Sequence, residues 1–238
     1  MRLDVALVER GLARSRTHAG ALIAEGRVTV NGRPATKAAH RVTVDDDLGA
    51  DAERWVSRAA HKLLGALASS AFTVQGRVLD AGASTGGFTQ VCLERGATLV
   101  HAVDVGHDQL VAQLRRDPKV RVHEGLNLRD LTVDHLDGVP VDRIVGDVSF
   151  ISLRLLLPAL LGVLSPEGEA LLLVKPQFEV GRQLLGSGGV VRDEALRRAS
   201  VDAVAADAAS LGWRERWRGE SELPGAAGNV EYFVHLTR

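Results

Sequence analysis

Residues 78–88 read VLDAGASTGGF, and the architecture of this chain is worked out from them. An apolar strand runs into Asp80, a turn follows at Gly82, and Gly86-Gly87-Phe88 opens the next helix. Glycines at such a turn let a ligand approach the backbone, and the helix start offers unpaired N–H groups. Dinucleotide folds use G-x-G-x-x-G there and seat a pyrophosphate on the helix N-terminus. Here the spacing is G-x-x-x-G-G with an acid two residues ahead, which suits a nucleoside without phosphates better than NAD.

Outward from this motif, short apolar strands alternate with amphipathic helices. The strands are VLDAG, TLVHAVDV, VRVHEG, DRIVGDVSF, ALLLVKP, WRERWRG and EYFVHL, with helices expected near 86–95, 108–116, 152–163 and 193–211. A further helix, RAAHKLLGAL, precedes them. Such alternation predicts an α/β fold, a Rossmann-like and mostly parallel seven-stranded sheet covered on both faces, with the last strand antiparallel. Trp213 and Trp217, four apart in an apparent strand, are expected to point the same way and to pack. Asp104 ends the second strand, 22 residues after Gly82, where a carboxylate can accept both ribose hydroxyls. Together, Asp80, Gly82, Ala83, Ser84, Thr85, Gly86, Gly87, Phe88 and Asp104 are read as a site for S-adenosylmethionine. The alternative is a tight turn with a purely structural glycine pair.

The first 50 residues differ in character. Leu3, Leu7, Val8 and Leu12 recur at helical spacing, and Ser15 is a good N-cap for a second helix with Ala19, Leu22 and Ile23 on its apolar face. RVTV followed by Asn31-Gly32 signals a hairpin, and a third short strand is expected at Val42–Val44. Residues 1–41 hold eight bases against three acids, a net +5, whereas residues 45–53 carry five acids and no base. Arg2, Arg14, Arg16, Arg27 and Arg33 are the candidate phosphate contacts; a merely solvated surface is the alternative. The expected division is a small module over 1–52, a linker over 53–58 and the α/β domain over 59–238.

Four charges fall at element ends around one face of the sheet: Lys62, Asp147 in VGDVSF, Lys175 in LLLVKPQF and Glu231 in GNVEYF. Open α/β sheets place their sites at the carboxyl ends of parallel strands. A lysine directly after Leu-Leu-Leu-Val is poorly explained by solvation, because charges in apolar surroundings need partners. Each charge alone is more often an exposed strand end than a catalytic group.

The order Lys62, Asp147, Lys175, Glu231 resembles the Lys-Asp-Lys-Glu tetrad of FtsJ-type ribose 2′-O-methyltransferases. DAGASTGGFT, DVSFISL, LVKPQFEVG and GNVEYF are similar to strings of the TlyA (hemolysin A) family of ribosomal RNA methyltransferases, whose members carry an N-terminal S4 RNA-binding domain like RLDVALVERGLARSRTHAGALIAEGRVTVNG. The resemblance covers essentially the whole chain. It implies a class I methyltransferase domain behind an S4-like domain, and methyl transfer from S-adenosylmethionine to the 2′-hydroxyl of a cytidine in ribosomal RNA. Within it, Lys175 and Lys62 stabilise the developing alkoxide, Asp147 holds a lysine, and Glu231 positions the ribose or the second lysine. Three features depart from the family pattern: Glu53-Arg54-Trp55-Val56 where Arg-Xaa-Trp-Val is frequent, Ala59-Ala60 where glycine is common, and an end at Arg238. Shorter forms are associated with large-subunit RNA, so 23S rRNA is the first candidate substrate and 16S rRNA the second.

The chain has 238 residues, 45% hydrophobic and 25% charged, an ordinary globular mixture. Its single cysteine, Cys92, fits a reducing cytoplasm. No apolar run approaches the roughly 20 residues a bilayer span needs, the first residues lack a signal-peptide core, and no His, Cys and acid group has metal-ligand spacing. Neither a membrane nor a metal is therefore expected as a partner. Two rival readings stand beside the enzyme: an S4-type RNA-binding protein with a non-catalytic second domain, and a membrane-damaging hemolysin.

Overall fold

The computed structural model describes residues 1–13, 15–50 and 54–238. The chain divides into two compact units, Met1–Arg54 and Trp55–Arg238.

In the first unit, α1 (Leu3–Glu9) and α2 (Arg16–Ala24) bury Leu3, Leu7, Leu22 and Ile23 against Val28 and Val42. Ser15 caps α2, its hydroxyl accepting from the His18 amide at 3.1 Å. β1 (Val28–Val30) turns through Asn31 and Gly32, both at positive φ, into β2 (Arg33–Pro34), which is the hairpin expected from Asn-Gly. The third strand is not Val42–Val44 but β3 (Leu48–Ala50), which pairs antiparallel with the other edge of β1. The reason lies in the acids. The Asp46 carboxylate accepts from both the amide and the hydroxyl of Thr43, at 2.7 and 3.0 Å. Arg10 meanwhile binds the carbonyls of Thr43, Val44 and Asp46. The chain turns where the alternation of Val42 and Val44 had suggested a strand.

The second unit opens with Trp55, which is buried among Leu63, Phe88 and Phe233 and so packs with the larger unit. α3 (Ala59–Ser69) leads to a seven-stranded sheet of order β6-β5-β4-β7-β8-β10-β9. Its strands are β4 (Arg77–Ala81), β5 (Leu99–Asp104), β6 (Val120–Glu124), β7 (Val141–Gly146), β8 (Leu164–Val174), β9 (Arg214–Glu220) and β10 (Tyr232–Thr237). All neighbours from β6 to β8 are parallel, and β10 runs antiparallel between β8 and β9. The last strand is therefore antiparallel as expected, but β9 holds the edge. Leu171 and Leu173 face α3 and α4 (Gly87–Glu94), whereas Leu172 and Val174 face α6 (Leu157–Gly162) and α8 (Glu194–Ser210). That two-sided burial is why the second half of β8, Ala170 to Val174, reads as an unbroken apolar run.

Two local expectations change. The helix expected over 108–116 is a single turn, α5 (Ala112–Arg115), because Asp108 takes a positive φ ahead of it and Asp117-Pro118 follows. Trp213 and Trp217 pack into different clusters rather than pointing the same way. Trp213 precedes β9, and the β9–β10 register skips Arg216 between Glu215 and Trp217, a bulge that breaks the simple alternation.

Candidate active site

After β4 the chain turns over Gly82 (φ +86) and Ser84 (φ +46), and Gly86 (φ +99) caps α4. A Cβ at Gly82 would sit 3.0 Å from the Asp147 carbonyl oxygen, so the turns after β4 and β7 lie backbone to backbone. A Cβ at Gly87 would strike Ser57 and crowd the Ala60 amide, so its absence lets α4 abut the start of α3. Gly86 faces Leu110 and Leu114 instead, on the far side of the turn.

Asp104, at the end of β5, accepts from the Ser84 amide through Oδ2 at 2.8 Å and from the Gly106 amide through Oδ1 at 2.7 Å. The carboxylate thus ties the glycine turn to the loop after β5, and each oxygen keeps a lone pair for a hydroxyl. Asp80 is placed differently from its expected neighbours. It is fully buried, and its Oδ2 accepts from the Thr89 hydroxyl at 2.6 Å. Its Oδ1 has no partner among the described residues. Burial pushes its carboxyl up to about 7; the charges of Asp147 and Asp104 add to the rise, and Thr89 opposes it.

Two cavities share Gly82, Ser84, Asp147 and Ser149. The smaller, about 230 Å³, is lined by Ser57, Arg58, Ala83, Thr85, Gly87, Phe88 and Lys175 as well. The larger, about 460 Å³, has apolar walls of Val105, Leu126, Leu128, Val148, Ile151 and Leu156, with Asp104, Gln109 and Asn127 as its polar edge. Asp80 and Gly86 line neither.

The four predicted charges form two ion pairs. β10 enters the sheet antiparallel, with Tyr232 opposite Val174. Glu231, just before β10, and Lys175, just after β8, therefore reach the same end of the sheet. Lys62 of α3 lies 2.6 Å from Glu231 Oε2, and both are buried, at 5% and 2% exposure. Lys175 lies 2.6 Å from Asp147 Oδ1 and donates to the Ser149 hydroxyl at 2.7 Å. An ammonium so far from water is tolerable only beside a carboxylate. Lys175 and Asp147 open onto the smaller cavity, whereas Lys62 and Glu231 do not line it.

Sequence reading missed several residues here. Ser149 binds Lys175, and Gln177 donates to Glu231 Oε1 at 3.0 Å. Phe150 is 91% exposed, at φ +66, with its ring 5.4 Å from that of Phe178. Asn127, Val105 and Gln109 follow the ends of β6 and β5. The signal for them was the strand-end rule itself, applied to every strand rather than to charged residues alone.

In the first unit, Arg2 and Arg16 both pair with Asp4, at 2.9 and 3.0 Å, and Arg27 lies 3.4 Å from Glu25. Bonding to Arg2 first, then to Arg16, lowers the Asp4 carboxyl to about 2 against the cost of burial. Arg33 is exposed on β2. Arg14 lies outside the described residues.

Residues 55–238 match the FtsJ-like methyltransferase family and residues 1–48 match the S4 domain. The chain is 54% identical over 239 residues to the 16S/23S rRNA (cytidine-2′-O)-methyltransferase TlyA of Mycobacterium tuberculosis, covering 99% of this chain and 89% of that one. It is 38% identical to a solved Streptococcus thermophilus protein described as a hemolysin, with TM-score 0.77 over 100% of this chain and 88% of that one. A Listeria monocytogenes protein described as an S-adenosylmethionine-dependent methyltransferase shares the fold, with TM-score 0.56 at 16% identity over 76% of this chain and 99% of that one.

Proposed function

This chain belongs to the TlyA family of FtsJ-like methyltransferases, and on that premise we propose that it methylates the ribose 2′-hydroxyl of a cytidine in ribosomal RNA, using S-adenosylmethionine. The observation that carries the proposal is the pair of lysine–carboxylate contacts, Lys175–Asp147 and Lys62–Glu231, gathered beside the glycine turn. The candidate substrate is 23S rRNA first and 16S rRNA second; the Mycobacterium tuberculosis relative is named for both.

The residues present fit S-adenosylmethionine. An apolar cleft for a planar base, a carboxylate at its edge and a turn stripped of Cβ at Gly82 suit a nucleoside, and the cavity beside Thr85 and Lys175 continues from it. Ala83, Ser84, Thr85, Gly87, Phe88 and Asp104 would hold the cofactor, with Asp80 and Gly86 supporting the turn from behind. When bound, it would supply an electrophilic sulfonium methyl.

The chain's own part is to ready the hydroxyl oxygen. As the 2′-hydroxyl gives up its proton to water, negative charge grows on that oxygen. Lys175, fixed by Asp147 and Ser149, meets the charge with a preorganised ammonium, which is usually the largest catalytic contribution. Lys62, paired with Glu231 outside the cavity lining, adds the field of a second cation. Holding the oxygen in line supplies much of the remainder. The exposed ring of Phe150 offers a face for an unstacked base, the usual means of recognising single nucleotides in RNA. Arg2, Arg14, Arg16, Arg27 and Arg33 of the first unit contact phosphates, and the enzyme works in the cytoplasm on a ribosomal subunit.

Of the rival readings, membrane damage finds no support in the helices: among the described residues none is long and apolar enough to cross a membrane. The test is incubation with labelled S-adenosylmethionine and each purified ribosomal subunit, followed by mapping of 2′-O-methylcytidine. Label on a cytidine ribose is expected. Cofactor and RNA binding without transfer to either subunit would leave the RNA-binding rival.

A further inference from the structure

Gln177 stands in α7 (Pro176–Glu179), two residues after Lys175, and only half of its amide is engaged. Its Nε2 donates to Glu231 Oε1 at 3.0 Å, while Glu231 Oε2 faces Lys62. A carboxylate opposite an ammonium offers acceptors only, so the amide must present nitrogen to it, and its orientation is set by that bond. Oε1, on the other arm of the amide, is buried and has no hydrogen-bond partner among the described residues. Buried acceptors are nearly always satisfied in folded proteins, and an exception calls for a missing donor. Gln177 also lines a third cavity, of about 360 Å³, with Phe150, Ile151, Ser152, Phe178 and Leu185. Phe150 and Ile151 belong to the larger cavity beside the glycine turn as well.

We infer that Gln177 reads the target base: its Oε1 accepts from the exocyclic amino group of cytosine and so selects cytidine over uridine. This rests on the proposed ribose methylation, which brings the nucleotide to Lys175. Cytosine carries an N4 amino donor where uracil carries an O4 acceptor. Uridine would set that oxygen against Oε1, acceptor to acceptor. The amide cannot rotate to offer its NH₂ without losing Glu231, so the network that holds Lys62 also enforces the choice of base.

Single-turnover methylation tests this with substrate RNAs carrying cytidine, uridine or the pyrimidin-2-one ribonucleoside, which lacks the 4-amino group, at the methylated position. The parent protein is expected to favour cytidine over the pyrimidinone about tenfold or more. Gln177→Ala and the length-matched Gln177→Met should methylate the two at equal rates. The ratio is the readout, because releasing Glu231 from its amide partner lowers the absolute rate for every base alike. An unchanged ratio in the variants overturns the assignment, as does a parent that treats cytidine and pyrimidinone equally. If both variants prove inactive, their relative affinities for the cytidine and pyrimidinone RNAs supply the ratio, and a preference kept at the parental value overturns the assignment. A parent that methylates no cytidine refutes the proposed function instead.

Discussion

Lys175 meets Asp147, Ser149 and a cavity at once, and it is the only one of the four tetrad charges placed to do all three. Lys175→Ala should lower the single-turnover methylation rate by about 10²–10³, the cost of deleting one preorganised stabiliser. Calorimetry should show unchanged S-adenosylmethionine affinity, because the lysine acts on the hydroxyl; a near-parental rate would remove it from the centre of the chemistry. Asp80 makes a different kind of prediction. Its carboxyl titrates near 7 when folded, against 3.8 ordinarily, so the native state binds the proton more tightly than the unfolded chain. That contribution to stability is complete below about pH 4 and is lost as pH rises through about 7. Relative to Asp80→Asn, the parent should therefore lose stability between about pH 4.5 and 8, on the order of a few kcal/mol. Urea denaturation of both proteins across that range measures it, and a flat difference would show that Asp80 carries no such burden.

Among the elements, the β4–α4 turn couples backbone geometry to chemistry. Gly82 holds a left-handed φ and lies against the backbone at Asp147, which in turn anchors Lys175. Gly82→Ala should cost about 1–2 kcal/mol for the conformation alone. Methyl transfer should fall as well, because the new Cβ displaces Asp147. Denaturant midpoints together with turnover rates check this; full activity would mean that the two turns can separate freely. The other elements show how local patterns yield to local hydrogen bonds. Apolar alternation at Val42 and Val44 was a sound strand signal, and the Asp46 carboxylate overrode it by turning the chain at Thr43. Trp213 and Trp217 escaped period two because Trp213 precedes β9 and a bulge at Arg216 interrupts the strand before Trp217.

At the scale of the molecule, charge is divided between the units. Residues 1–41 carry a net +5, whereas residues 59–238 hold 19 bases and 22 acids. RNA affinity is therefore expected to come from the first unit. Arg16→Ala combined with Arg33→Ala should weaken binding to ribosomal subunits and flatten its salt dependence, by about 0.7–0.9 in log–log slope for each phosphate left without its arginine. Arg16 shares Asp4 with Arg2, so its part of that change should be the smaller. Cofactor affinity should not move. Filter binding over a salt series, read beside calorimetry, distinguishes these arginines from a merely solvated surface, for which the slope stays parental.

Legible in the residues alone were the alternation of strands and helices, the glycine turn, the hairpin at Asn31-Gly32 and the gathering of Lys62, Asp147, Lys175 and Glu231 around one face of the sheet. Each is a local signal: a period, a backbone freedom or a charge abutting an apolar run. Which lysine pairs with which acid was not legible. That pairing follows from β10 threading antiparallel between β8 and β9, which carries Glu231 to the end of the sheet where Lys175 emerges. The pocket around Asn127, Phe150 and Gln177 was hidden for the same reason, since its residues are uncharged and converge from separate loops. Strand insertion is chosen by burial over the whole sheet. No window of sequence contains it, because the contacts that stabilise it join residues more than 50 positions apart, as Glu231 and Gln177 do.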